Sequence, residues 1–553
     1  MKSNVIAIGL DAADPNLIEP WLAEGHLPTL QKLREQGAFG RLSNIDHFRA
    51  ETPWTTFLSG CSPKKTGYWG PVEFDPKTYL AQETGAHDFK EFPPFYALGS
   101  DFEVAAFDIP QSSLSERVNG LHVLGWGAHS PMTPSHSTPT DALTEIIQKH
   151  GEHPAFLKDF ADCRDVGALK RLQKVLEVGI QRRAEVCRDL LQQKNWNLLL
   201  TIFGETHTAG HYMWHLSQAD HPLHALADGC PDLMLKTFKA VDRAIAHILE
   251  EAPADANVVV FAAHGMGSNV MDVPSMLLLP ELMYRYSFPG KVAIAPGKVG
   301  APLPPPSMEP DRKRGWVGEV WNLRHEPNPL MRWLRTQAPV TLYKPLDKFL
   351  NRLQQPYLIS SENLMEAGDP LFWQPAQWYM PMWPRMKAFA LPSYSEGYIR
   401  INLQGREAKG SVAPADYEAT CQEVEALLYD LKDARSGQPL VEKVIRTRSQ
   451  PFEDDSKLPD ADLVAIWQDD LPSDVVDSSQ CGRIGPVPHH RSGSHRSRGF
   501  IVAKGPDIEA GMTLATGHAL DLAPTLLQLM GAPIPEHFEG RALFSGESAV
   551  MAV

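Results

Sequence analysis

The sequence has 553 residues, 43% of them apolar and 22% charged, with a formal charge of −15, which describes a globular chain long enough to bury a large core. The acidic balance argues against a general nucleic-acid-binding or anionic-membrane surface, so any anion site has to be built locally. No run approaches the roughly 18 apolar residues of a membrane span, and the six cysteines are scattered without a CxxC pair, the usage of a reducing compartment rather than of a disulfide scaffold.

The first segment, MKSNVIAIGLDAAD, reaches an aspartate after a short apolar stretch and has no small-residue cleavage site, unlike a secretory signal. A soluble cytoplasmic protein is therefore expected. Residues 5–10 read as a buried parallel strand that ends at Asp11. In AETPWTTFLSG, Thr52 and Pro53 read as N-cap and first residue of a helix. A hydroxyl then sits at the positive end of a helix dipole, where an anion also binds; an ordinary cap is the alternative reading.

GALKRLQKVLEVGIQRRAEVCRDLLQQ has the period of an amphipathic helix and leads into a second apolar run, LLLTIF, followed at once by ETHTAGH. Four residues apart, His207 and His211 share one face of a first helical turn, the spacing of a metal-ligand pair, although two surface histidines would look the same. A second helix, DLMLKTFKAVDRAIAHILEEA, precedes a third run at 258–262 that ends in AAHGMG and delivers His264. Strands alternating with helices predict an α/β fold: a mostly parallel central sheet with helices on both faces. The carboxyl ends of such strands line the ligand crevice, so runs ending in Asp11, Glu205 with His207, and His264 point to one site.

A Pro- and Trp-rich stretch over 290–385 interrupts the pattern and reads as an insertion or lid. Its Trp316, Trp321, Trp333, Trp373, Trp378 and Trp383 suit a satellite core, a substrate cap or a dimer contact. Residues 386–470 read as a small α/β subdomain, with strands in KAFALP and GYIRINL and a glycine-stopped helix in PADYEATCQEVEALLYDLKDARSG. The segment 471–553 returns to the core begun by 1–289. It passes through HHRSGSHRSRGFIVAKGP, in which His495 lies nearest the expected strand and His489 and His490 further away. That loop suits either metal coordination or a solvated basic surface.

The ordered set GLDAADPNLIEPWLAEGHLPTLQKLREQGAFGRL, TPWTTFLSGCSPKKTGYWG, FGETHTAGHYMWH, FAAHGMGSN and GSHRSRGFIVAKGPDI resembles the alkaline phosphatase superfamily, in its type I phosphodiesterase/nucleotide pyrophosphatase branch. The likeness spans nearly the whole chain outside the insertion. It implies two divalent ions, usually zinc, with His207, His211 and His495 at one and Asp11, Thr52 and His264 facing the other. It also implies a small-molecule phosphate ester as substrate, attacked by Thr52 to give a covalent phosphoryl-enzyme.

Three departures stand out. His207 and Ala263 occupy positions that are aspartate in the usual pattern, and the family spacing from the Ser59-Gly60 pair puts the nucleophile at Ala50, so Thr52 is chosen on local chemistry. Losing two carboxylates under-neutralises a pair of divalent ions, so the second site is expected to be the weaker. Asp14, Glu205 and Asp272 are the candidates to replace a carboxylate, Asp14 and Asp272 reading equally as an N-cap and a solvated loop residue. The expected function is a metal-dependent hydrolase of phosphate esters, with the preference for diester or nucleotide-type substrates resting on analogy. A transferase or mutase on the same scaffold, and a binding protein that has lost the second metal site, are the alternatives.

Overall fold

The computed structural model describes residues 2–127, 133–326, 329, 330, 333, 358–453, 455–506 and 508–544. The chain divides into two compact units, one of Met1–Pro71, Gly85–Gly267 and Ser492–Val553, the other of Val72–Thr84 and Ser268–Arg491. Most of the Pro- and Trp-rich insertion belongs to the second unit, and its stretch 334–357 lies outside the described residues.

The first unit is built on one sheet. Among its elements, in chain order, are β1 (Val5–Leu10), α1 (Pro15–Ala23), β2 (Ala38–Ser43), α2 (Pro53–Ser59), β3 (Val104–Phe107), β4 (Gly120–Leu124), β5 (His136–Thr138), α3 (Val166–Gln193), β6 (Leu198–Phe203), α4 (Glu205–Ser217), α5 (Leu233–Leu249), β7 (Asn257–Ala262), β8 (Gly265–Ser268), β9 (Gly493–Arg496), β10 (Arg498–Lys504) and α6 (Leu522–Met530). The strand order β2-β10-β7-β1-β6-β3-β4-β5 continues beyond β2 into Met512–Thr513. β1 is parallel to both β6 and β7, and β3 to both β6 and β4. β10 runs antiparallel between β7 and β2. The expected α/β architecture is therefore present, with the return strand reversed.

Alternate residues of each central strand enter opposite cores, as a two-residue side-chain period requires. Ile6, Ile8 and Leu10, with Val258 and Val260, pack on one face against α1, α3, α4 and α5. Val5, Ala7, Val259 and Phe261 pack on the other against α2 and α6. Both faces are buried, which explains why these strands read as unbroken apolar runs rather than alternating ones.

Within the second unit, Ala388–Ala390, Gly397–Ile401, Leu463–Trp467 and Val441–Arg446 form an antiparallel sheet. Its helix, Tyr417–Tyr429, ends ahead of the glycine expected to stop it, because Lys432–Asp433 is drawn into pairing with Val476–Asp477. Trp378 and Trp383 are fully buried, and Trp321 meets Trp378 edge-on at 5.2 Å. These tryptophans make a satellite core. No described helix is long and apolar enough to cross a membrane.

Candidate metal centre

The register of the three central strands sets up the site. Leu10 lies opposite Phe203, and Gly9 opposite Phe261, so Asp11, Glu205 and His264 all emerge at the carboxyl edge of the sheet. The Thr206 hydroxyl donates to the carbonyls of Asp11 (2.7 Å) and Phe203 (2.8 Å), pinning the start of α4 to the end of β1.

From that anchored turn His207 and His211 project from one face of α4. His207 Nε2 lies 3.1 Å from His211 Nε2 and 3.1 Å from His495 Nε2. All three rings are buried, and one ligand atom from each lies within 4.8 Å of the others. Two nitrogens bound at about 2.0–2.1 Å to one tetrahedral ion stand about 3.3 Å apart, so the spacing suits ligands of a common ion. The tautomer at His211 also suits: its Nδ1–H donates to the Gly493 carbonyl at 2.8 Å, and a carbonyl only accepts. The neutral ring's lone pair is then left on Nε2, toward the other two rings. β9 carries Gly493 and His495 together, and Ser492 N–H donates to the His211 carbonyl at 2.7 Å, tying that strand to α4.

Beside this trio stands a second group. Asp11 Oδ1 lies 3.4 Å from His264 Nε2 and accepts a hydrogen bond from Trp54 Nε1 at 3.1 Å. The His264 ring is centred 5.0 Å from that of His495. Gly9, just before this strand end, leaves room for Ile202: a Cβ there would lie 2.4 Å from the Ile202 side chain and 3.2 Å from Phe261. Two of the expected ligands to the other ion, Asp11 and His264, are thus together.

Thr52 is the N-cap of α2 with Pro53 following, as expected, but its hydroxyl makes no capping bond. It donates instead to the Phe48 carbonyl at 2.9 Å, in a fully buried setting. Thr55 and Thr56 lie within the helix, where their buried hydroxyls have no hydrogen-bond partner.

The three carboxylates considered as replacements are each engaged elsewhere. Asp14 is the N-cap of α1, accepts from Asn16 N–H at 2.9 Å and pairs with Arg498 at 3.2 Å; burial pushes its pKa up against the pull of that arginine. Asp272 is buried rather than solvated. In the second unit it accepts two bonds from Arg491 at 2.7 Å, and Arg491 holds it below the usual carboxylate range despite burial. Glu205 is fully buried at the first position of α4, 3.0 Å from His153 Nε2 and 3.4 Å from Arg183 Nε; burial opposes its ionisation, and Arg183 and His153 outweigh it. His490 packs at a tilt against Trp316 (4.4 Å) and stacks on Trp373 (5.8 Å) in the second unit, and the converging trio includes neither it nor His489.

The sequence reading did not single out Asp108, Arg183 or His153, which surround Glu205. A signal was present for one of them: Asp108 ends the apolar run of β3 as Asp11 ends that of β1.

The type I phosphodiesterase / nucleotide pyrophosphatase family model matches residues 5–292, just over half of the chain. The chain belongs to this family. Membership places it among metal-dependent hydrolases of phosphoesters and within the superfamily that the ordered motifs resemble. No curated protein matches the sequence significantly. Among solved structures, the chain is similar to murine ectonucleotide pyrophosphatase/phosphodiesterase 5, with 10% identity over 97% of each chain and a TM-score of 0.44. It is also similar to the phosphonoacetate hydrolase of Sinorhizobium meliloti 1021, with 11% identity over 96% of each chain and a TM-score of 0.42. For the alkaline phosphatase PafA the values are 11%, 98% of each chain and 0.47. At such TM-scores these likenesses add nothing to the family match.

Proposed function

We propose that the protein hydrolyses phosphate diesters or nucleotide-type esters at a zinc centre held by His207, His211 and His495, with Thr52 as nucleophile. The observation that carries this reading is the buried convergence of the three imidazoles, with His211 Nε2 and His495 Nε2 each 3.1 Å from His207 Nε2. Three neutral imidazoles are a donor set that zinc accepts readily, with an open fourth position. A zinc ion bound there would supply Lewis-acid polarisation of the phosphoryl group.

The remaining chemistry falls to the chain. The bond from Thr52 to the Phe48 carbonyl orients the hydroxyl proton toward that carbonyl and the oxygen's lone pairs away from it. In the proposed reaction Oγ1 bonds to phosphorus as the bond to the departing alkoxide breaks; the hydroxyl proton passes to a water molecule admitted with the substrate, and the alkoxide takes a proton from water. Water then hydrolyses the threonyl phosphate, releasing the monoester and restoring the hydroxyl. Asp11 and His264 form the neighbouring group, the His264 ring centred 5.0 Å from that of His495. With Ala263 between β7 and His264, with Asp14 and Asp272 committed to arginines, and with Glu205 held through Oε1 by His153 and Arg183, a second divalent ion there would find few carboxylates.

The test is intermediate trapping: acid quench of the zinc-loaded protein during turnover of a chromogenic diester, followed by peptide mass analysis. A phosphorylated Thr52 is expected. Undiminished turnover by Thr52→Ala would overturn the assignment of the nucleophile.

A further inference from the structure

Behind the two histidines of α4 lies a buried polar network that the proposed reaction does not use. Glu205 Oε1 takes both the His153 bond and the Arg183 Nε bond. Arg183 reaches on to Asp108 Oδ2 at 2.7 Å and to Thr201 Oγ1 at 3.4 Å. The other Asp108 oxygen accepts from Trp126 N–H at 2.9 Å. Arg183, Glu205 and Thr201 are fully buried, and Asp108 and His153 nearly so. Residues from the ends of β3, β4 and β6, from mid-α3 and from the loop 151–165 thus meet beneath the first turn of α4.

The chain gives up local stability to hold this arrangement. Gly179 lies inside the long helix α3, where glycine is a poor helix former, yet a Cβ there would sit 1.9 Å from His153 Nε2. A Cβ on Gly127 would sit 1.9 Å from Asp108 Oδ2 and 2.3 Å from Arg183 Nη2. Asp108 itself has a left-handed backbone, φ 58°, which a side-chain-bearing residue adopts at a cost. Thr201 is a hydroxyl between Leu199 and Phe203 on an otherwise apolar strand face. Buried ion pairs are poor net stabilisers compared with well-packed apolar side chains, so stability of the fold does not account for these concessions.

What they have in common is Glu205, two residues before His207. The loop that supplies His153 also supplies Asp159, which accepts from the Thr208 hydroxyl at 3.0 Å. The loop therefore grips α4 on both sides of His207 in sequence. We infer that His153, Arg183 and Asp108 are positioning residues, a brace that fixes the first turn of α4 so that His207 and His211 are held in ligating geometry before the ion arrives. The inference rests on the zinc-site reading above.

Metal affinity of the full-length protein tests it, measured for zinc by competition with a chromophoric chelator and for cobalt by its visible ligand-field spectrum, with Tm recorded alongside. His153→Ala should weaken zinc binding about tenfold, the low end for an outer-shell partner, and alter the cobalt spectrum. His153→Gln, whose amide can still donate to Glu205, should stay within about threefold of wild type. Gly179→Ala favours the helix but intrudes on His153, so it should weaken zinc binding similarly. Added to His153→Ala it should have no further effect, since no ring remains to displace. Should His153→Ala fail to fold, Gly179→Ala and His153→Gln carry the same comparison. Wild-type zinc affinity and an unchanged cobalt spectrum in the His153→Ala and Gly179→Ala proteins would overturn the brace, and so would a Gln variant as weak as the Ala variant. A wild-type protein that takes up neither zinc nor cobalt would overturn the zinc-site reading itself, and the brace with it.

Discussion

Acid should destabilise the central sheet through His122. This residue lies in β4, fully buried, with Nε2 3.2 Å from the Tyr96 hydroxyl, which is itself 3.1 Å from Ser112 Oγ. Its Nδ1 is buried without a hydrogen-bond partner, so a proton there has no acceptor, and burial pulls the pKa from 6.5 to about 4. The unfolded chain binds a proton below about 6.5 and the folded chain not until about 4. The contribution to stability is therefore intact above pH 6.5 and is lost as pH falls through that window. A gap of about 2.5 pH units, at about 1.4 kcal/mol per unit, sets the full loss at about 3.5 kcal/mol. The assay is urea unfolding of wild type and His122→Phe at intervals between about pH 7.5 and 4.5, the variant carrying the acid sensitivity of all other groups. The wild-type curve should fall below the variant's by about 2–3 kcal/mol over the window. Parallel pH profiles would refute the reasoning, because His122 would then titrate alike in both states.

Thr52→Ala should lower diester turnover on the order of a thousandfold, as loss of a nucleophile does, while Thr52→Ser keeps part of it; steady-state kinetics on the zinc-loaded proteins decide. Thr55→Val and Thr56→Val remove hydroxyls that have no partner, so turnover and Tm should stay near wild type. Ala263→Asp adds a carboxylate beside His264, and elemental analysis after zinc dialysis should show a higher metal content than wild type. Arg491→Met strips the partner from the buried Asp272 and should cost about 3 kcal/mol or more in unfolding free energy. Asp272→Asn combined with Arg491→Met should cost less than the arginine change alone.

The sheet was legible because its central strands are buried on both faces and so read as apolar runs, and because the residue after each run had unusual chemistry. The i,i+4 spacing of His207 and His211 carried its own geometry, since a helix turn brings such residues to one face. The partner from β9, His495, was reachable only through the ordered set of motifs, as nearly three hundred residues separate it from His211. Other features were not legible. Asp272 read as a loop residue because its burial depends on Arg491, far away in sequence. The Thr52 hydroxyl read as a cap, but an adjacent carbonyl competed successfully for its proton. Gly179 stands inside a helix, and only a distant imidazole occupying the space beside it gives it a reason.

Metal content is the most direct test of the central claim. The purified protein, dialysed against zinc and then against metal-free buffer, should retain about one tightly held ion per chain, the expectation for a three-histidine site with a carboxylate-poor neighbour. His207→Ala and His211→Ala should each lose that ion together with diesterase activity while keeping the wild-type circular dichroism spectrum. Failure of the wild-type protein to retain zinc, manganese or magnesium, or retention undiminished in both variants, would contradict the account.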